Sequence, residues 1–148
     1  MIAGEGETVV HCPPDRVLEF VMDLDRYRQA DRKIGRVYEV VREGPVARVR
    51  FRAKMLGLPG PKVAQVLERD GDRLTVRNEP SWMDRLYRFE GLVACRPAED
   101  GATHVRHVES FEFRRPWSYL LEPLVGAWLR RDTPAEVRRL HDLLEQTP

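Results

Sequence analysis

A chain of 148 residues, 42% hydrophobic and 33% charged with a formal net charge of +1, is sized for one domain, 1–148, with a core of its own. The balanced charge argues against a nucleic-acid binder, which carries a basic excess, and two cysteines, Cys12 and Cys95, exclude a disulfide scaffold and point to a cytoplasmic setting. No basic segment followed by an apolar run opens the sequence, and the longest apolar stretch, Leu124 to Leu129, falls far short of the roughly 20 residues of a spanning helix, so no integral membrane segment is expected.

Gly6 to Cys12 reads as a first strand, with β-branched Thr8, Val9 and Val10. Pro13 and Pro14 end it, and Pro14 suits the first turn of a helix. Val17, Phe20, Val21 and Leu24 recur at i, i+3, i+4 and i+7, the apolar face of that helix. Asp23 to Ala30 reads as a second short helix. From Gly35 the period becomes two. In Val46 to Met55, Val49, Phe51, Ala53 and Met55 share one face, and Arg48, Arg50, Arg52 and Lys54 the other. One dry and one wet face point to antiparallel strands. Further strands are predicted at Val63–Arg69, Arg73–Glu79, Leu86–Arg96 and Thr103–Phe113, with Gly57 to Pro61 as a loop and Asp70-Gly71-Asp72 as a hairpin-like turn. Trp117, Leu120, Leu121, Leu124, Val125 and Trp128 then form an apolar helical stripe. Pro123 breaks or kinks that helix, and Asp132 to Glu136 reads as a restart behind Pro134.

Three stretches in this order resemble the START-like, Bet v 1-like helix-grip superfamily (SRPBCC), which includes bacterial polyketide cyclases and lipid-transfer proteins. They are Cys12 to Tyr27 with its Pro-x-x-x-Val-Leu-x-Phe entry, Asp31-Arg32-Lys33-Ile34-Gly35-Arg36-Val37, and Phe89-Glu90-Gly91 followed by Gly101-Ala102-Thr103-His104-Val105. The resemblance implies an α+β helix-grip fold. A curved antiparallel sheet of about seven strands wraps a long carboxy-terminal helix, two short helices lie between the first two strands, and a cavity separates sheet from helix. It places Trp117, Leu120, Leu121, Leu124 and Trp128 against the sheet, and the Gly57 to Pro61 loop near the cavity mouth.

Alternation then names the lining. Val49, Phe51, Ala53 and Met55 share one inward face; Leu74, Val76 and Asn78 continue it, followed by Tyr87, Phe89, Gly91 and Val93. On the last strand Val105, Phe111 and Phe113 set the apolar face, and the same period brings His107 and Glu109 onto it. A polar pair inside an apolar lining is bonded to something or aimed at a ligand; alternatively a bulge turns both outward. His107 and Glu109 are therefore the catalytic candidates. The ligand-binding set is Val49, Phe51, Ala53, Met55, Val76, Asn78, Tyr87, Phe89, His107, Glu109, Leu121, Leu124 and Trp128.

His104 and His107 stand at i and i+3 on a strand and face opposite ways, so no metal site is assigned, and no cofactor is expected. In the resembled fold a strand separates Cys12 from Cys95 by about 10 Å, too far for a bridge. The doublets Arg114-Arg115, Arg130-Arg131 and Arg138-Arg139 alternate with Glu122, Asp132, Glu136, Asp142 and Glu145, as on a solvated face. Trp82 and Met83 sit in a turn, either at a cavity entrance or packed back over its rim. The expected function is binding of a hydrophobic or aromatic small molecule, lipid- or polyketide-like, by a monomer or homodimer. The resemblance offers a polyketide cyclase or dehydratase as the enzymatic alternative. A non-catalytic interaction domain with a closed cavity is the third.

Overall fold

The alternation read from the strands sets the architecture. In the computed structural model, which describes residues 1–146, β1 (Ile2–Val10) is followed by α1 (Pro14–Met22) and α2 (Leu24–Tyr27). Then come β2 (Ile34–Glu43), β3 (Val46–Met55), β4 (Leu58–Asp70), β5 (Arg73–Asn78), β6 (Tyr87–Pro97), β7 (Thr103–Phe113) and α3 (Trp117–Gln146). The seven strands form one antiparallel sheet in the order β1-β7-β6-β5-β4-β3-β2. This is the α+β helix-grip arrangement. No helix among the described residues is long and apolar enough to cross a membrane.

β1 begins at Ile2, earlier than the β-branched cluster suggested, because Ile2 to Thr8 pair continuously with β7. β4 also begins earlier, at Leu58, since Leu56 and Gly57 alone make the turn. Both take positive φ, 56° and 78°. Pro59 and Pro61 are tolerated inside β4 because β5 reaches only as far as Gln65, leaving that end of β4 with one neighbour. α3 neither breaks nor restarts: Pro123 and Pro134 both lie within one assigned helix, so Asp132 and Thr133 are mid-helix residues and not a cap.

The packing face of α3 is the main correction. Val125, Leu129, Thr133, Glu136, Val137, Leu140 and Leu144 are buried, whereas Trp117, Leu120 and Leu124 are 47%, 69% and 55% exposed. The apolar stripe exists, but the buried face is rotated from it by roughly a third of a turn. The reason lies in β1. Gly4 and Gly6 present bare backbone where the helix crosses: a Cβ on Gly4 would stand 2.6 Å from the Leu129 carbonyl oxygen, and one on Gly6 would stand 2.8 Å from a Val137 methyl. The helix therefore lies close along β1 and β7 at one edge of the sheet and diverges from β3, β4 and β5. The gap it leaves is the cavity.

Candidate functional site

The gap is a cavity of about 80 Å³. Phe51, Ala53, Met55, Val63 and Leu67 wall it from β3 and β4, Val76 from β5, Tyr87, Phe89, Gly91 and Val93 from β6, and Phe111 from β7. Gly91 contributes space, since it has no side chain to project between Val76 and Phe89. Lys54 is the exposed member of the lining and Met55 is half-buried, so the opening lies at the β3–β4 hairpin. Tyr87, Phe89, Phe111 and Phe113 form an aromatic cluster behind it, with ring centroids 4.9 to 6.0 Å apart.

Deeper along β7 the lining turns polar. The ladder runs without a shift from Thr103 to Phe111 against β1 and to Phe113 against β6, so no bulge turns His107 and Glu109 outward. They are 5% and 2% exposed and both face the cavity. His107 Nε2 lies 2.6 Å from Glu109 Oε1, and its Nδ1 lies 3.2 Å from the Leu92 carbonyl oxygen.

Lys33, from the segment between α2 and β2, completes the group. Its Nζ is 2.8 Å from Asp31 Oδ1, 2.8 Å from Glu109 Oε2 and 3.0 Å from Glu136 Oε2. Tyr27 donates its hydroxyl to Glu136 Oε1 at 2.5 Å. That same oxygen lies 3.4 Å from His107 Nε2. Asp132 is 3.7 Å from Lys33 Nζ and is shared with Arg139, whose guanidinium also donates to the Ala30 carbonyl. Tyr27, Asp31, Lys33, His107 and Glu109 line the cavity, and Glu136 supports them from α3.

Burial opposes each charge, and the partners decide the outcome. For Lys33, burial is outweighed by Asp31, Glu109 and Glu136, which hold the ammonium well above its ordinary 10.5. Burial of His107 is outweighed by Glu136 and Glu109, so the imidazolium persists well above 6.5. Burial of Glu109 is likewise outweighed, by Lys33 and His107, and its carboxyl falls below 4.5. Asp31 goes the other way: burial, followed by the Glu136 charge, pushes it from 3.8 up to about 6 despite Lys33. Tyr27 is driven well above 10 by burial and by Glu136.

His107, Glu109 and Glu136, with ligand-type atoms within 4.8 Å of one another, are a metal-competent grouping. In this structure the Lys33 ammonium sits against two of its three members, where a cation would otherwise be drawn.

These shifts predict a pH profile. A raised histidine pKa gives stability that is present below 6.5 and lost as pH climbs from 6.5 through the folded value. The raised Asp31 works in its own window: stability declines as pH rises from 3.8 to about 6 and that loss is then complete. From pH 6.5 to about 8 the slope belongs chiefly to His107, up to about 1.4 kcal/mol per pH unit for one proton, before the raised Cys12 and Cys95 thiols add their own decline nearer 9. Urea midpoints measured at pH 6.5, 7.0 and 7.5 are expected to fall in the wild type and to stay flat in His107→Gln.

Of the remaining sequence-predicted residues, Phe51, Ala53, Met55, Val76, Tyr87 and Phe89 line the cavity. Val49 is 1% exposed in the core beneath it. Asn78 stands beside the wall, bonded to Gln65 Nε2 at 3.1 Å and to the Tyr87 hydroxyl. Leu121 and Trp128 pack against the aromatic cluster. Leu124 points to water, because α3 meets the sheet on another face. Glu136, read from sequence as part of a solvated face, is fully buried. Tyr27, Asp31, Lys33 and Glu136 were missed as site residues. The available signal was that Lys33 is one of three lysines among 22 arginines. Cys12 and Cys95 are free and buried, and burial pushes the Cys95 thiol up to about 12, as befits core sulfur.

The family model for polyketide cyclase/dehydrase and lipid transport proteins matches residues 1–145. The chain belongs to this family. Its fold is shared with a protein from Thermus thermophilus (23% identity, 99% of each chain, TM-score 0.76). It is shared too with a START superfamily protein from Mycobacterium smegmatis (15%, 99% of each, 0.77). The Zhui aromatase/cyclase from Streptomyces sp. R1128 is similar at 16% identity over 97% of this chain and 93% of that one, with a TM-score of 0.78. No curated protein matches the chain by sequence.

Proposed function

We propose that the protein binds a hydrophobic or aromatic small molecule in the cavity between sheet and α3, with the molecule's polar end at Lys33 and Asp31. One observation carries this reading: an apolar wall of aliphatic and aromatic side chains ends on buried ionised side chains whose polar atoms enter the same space. Ligand pockets combine apolar area for affinity with a few placed polar groups for orientation. Lys33 can donate to a carbonyl, phenol or carboxylate oxygen that replaces one of its three carboxylate partners, and Asp31 can accept from a hydroxyl. At about 80 Å³ the space holds a few waters, so a polycyclic or acyl guest displaces the half-buried Met55 on entry.

Thermal unfolding with fatty acids and polycyclic aromatics tests the reading. Ligand at one hundred times its Kd stabilises by about 2.7 kcal/mol, which for this size raises the midpoint by roughly 5–10 °C. Gly91→Leu fills the cavity and is expected to abolish the shift. No shift with any ligand, or an equal shift in Gly91→Leu, would count against it.

A cyclase or dehydratase reading rests on a separate observation, the pairing of Asp31 with Lys33. A carboxylate with a pKa near 6 is suited to take a proton from a carbon beside a carbonyl. The neighbouring ammonium then stabilises the developing enolate oxygen. His107 and Glu109, bonded to each other at 2.6 Å, lie beside this pair, with Glu109 Oε2 2.8 Å from Lys33 Nζ. Their bonding favours a role in positioning Lys33. Loss of turnover in Asp31→Asn, with ligand binding retained, separates this reading from simple binding.

A further inference from the structure

We propose that the end of the molecule around the cavity opening docks on an anionic lipid surface. Three separate segments bring exposed apolar side chains to this end: Leu58 from the β3–β4 hairpin, Trp82 from the β5–β6 loop, and Trp117, Leu120 and Leu124 from the first turns of α3. Their exposures run from 47% to 69%. The segments are neighbours. The Arg114 amide donates to the Leu86 carbonyl at 2.8 Å and its side chain to the Asp84 carbonyl at 3.4 Å, which ties the start of α3 to the β5–β6 loop. Met55, at the base of the hairpin, packs on the same aromatic cluster as Leu121 and Trp128 of α3. In the antiparallel sheet the β3–β4 hairpin, the β5–β6 loop and the β7–α3 connection all fall at one end, the end that carries Lys54 and Met55 of the cavity lining.

The core does not account for these residues. Trp117, Leu120 and Leu124 follow one another at i, i+3 and i+7 on a face that the sheet leaves uncovered. At the hairpin tip Leu56 adopts φ +56°, a conformation that usually calls for Asn or Gly, and it remains 37% exposed.

The charge around the opening selects the surface. Lys54, Arg85, Arg114 and Arg115 are exposed in the same segments. Of the acids nearby, Glu79 pairs with Arg48 and Glu122 with the amino terminus, while Asp84 accepts from the Ser81 amide and keeps its charge, which leaves the four cations in excess. Exposed tryptophans and leucines with arginine and lysine among them suit the boundary between headgroups and acyl chains. Docked this way, the opening faces the acyl region, and a hydrophobic guest passes from bilayer to cavity without crossing water.

The test is flotation with vesicles of phosphatidylcholine alone and of phosphatidylcholine with 30% phosphatidylglycerol, at low and high salt. Binding to the anionic vesicles is expected to be at least tenfold tighter than to the neutral ones and to weaken with salt. Arg114→Glu/Arg115→Glu should remove the anionic preference. Trp82→Ser/Leu120→Ser should lower affinity at least tenfold, with unchanged circular dichroism. Gly91→Leu, which blocks the cavity, should bind vesicles like the wild type, so docking is read independently of ligand uptake. Failure to float with anionic vesicles, or surface variants that float like the wild type, would overturn the proposal. So would a concentration-dependent dimer that the same variants dissociate while vesicles are ignored, which would assign this face to a second copy of the chain.

Discussion

Replacing Lys33 with methionine is expected to destabilise the protein by about 3–5 kcal/mol, the range for removing one partner of a buried ion pair. Methionine preserves much of the side-chain bulk, so the loss is electrostatic. The ammonium lies within 3.0 Å of Asp31, Glu109 and Glu136. Glu109 and Glu136 are 2% and 0% exposed, and without Lys33 the two carboxylates share the single His107 imidazolium. The loss should be larger at pH 8 than at pH 5, because acid neutralises the orphaned carboxylates. A second change, Glu136→Gln, should recover part of it, with a coupling energy readable from a double-mutant cycle in urea. A Lys33→Met protein that unfolds within 2 °C of the wild type would show that the cluster contributes far less than its geometry implies.

The second large effect is steric. Gly4→Leu is expected to reach or exceed the upper end of the overpacking range, about 3 kcal/mol. A Cβ at position 4 would stand 2.5 Å from Thr133 Oγ1 and 2.6 Å from the Leu129 carbonyl oxygen. The second of these is backbone and cannot rotate away. Gly44→Ala tests a different mechanism. Nothing lies within 4 Å of a Cβ there, and the strain comes only from φ +59°, so its loss should be near 1 kcal/mol. Equal midpoints for the two variants would contradict the close helix–strand approach.

Strand content was legible because half-buried strands alternate. Val46 to Met55 and Thr103 to Phe113 matched their predicted bounds, and alternation alone brought His107 and Glu109 onto the apolar face. Helix orientation was less legible. The first turns of α3 carry apolar residues over much of their circumference, so periodicity found a stripe without showing which side meets the sheet. The deciding information lay in Gly4 and Gly6, more than 120 positions away in the chain. Such distance also hid the ionic group: Tyr27 and Glu136 touch across 109 residues. Glu136 looked like one of several acids among arginines, and its burial follows only once the rotation of α3 is known.

The two bare glycine backbones have a further consequence. They seat α3 firmly along one margin of the sheet, so the space between helix and sheet widens away from that margin, toward the β3–β4 hairpin where Met55 lies. The two layers thus meet like book covers at a spine on the β1–β7 side, with Glu109, His107 and Glu136 near that spine and Lys33 reaching to them from the segment that precedes β2.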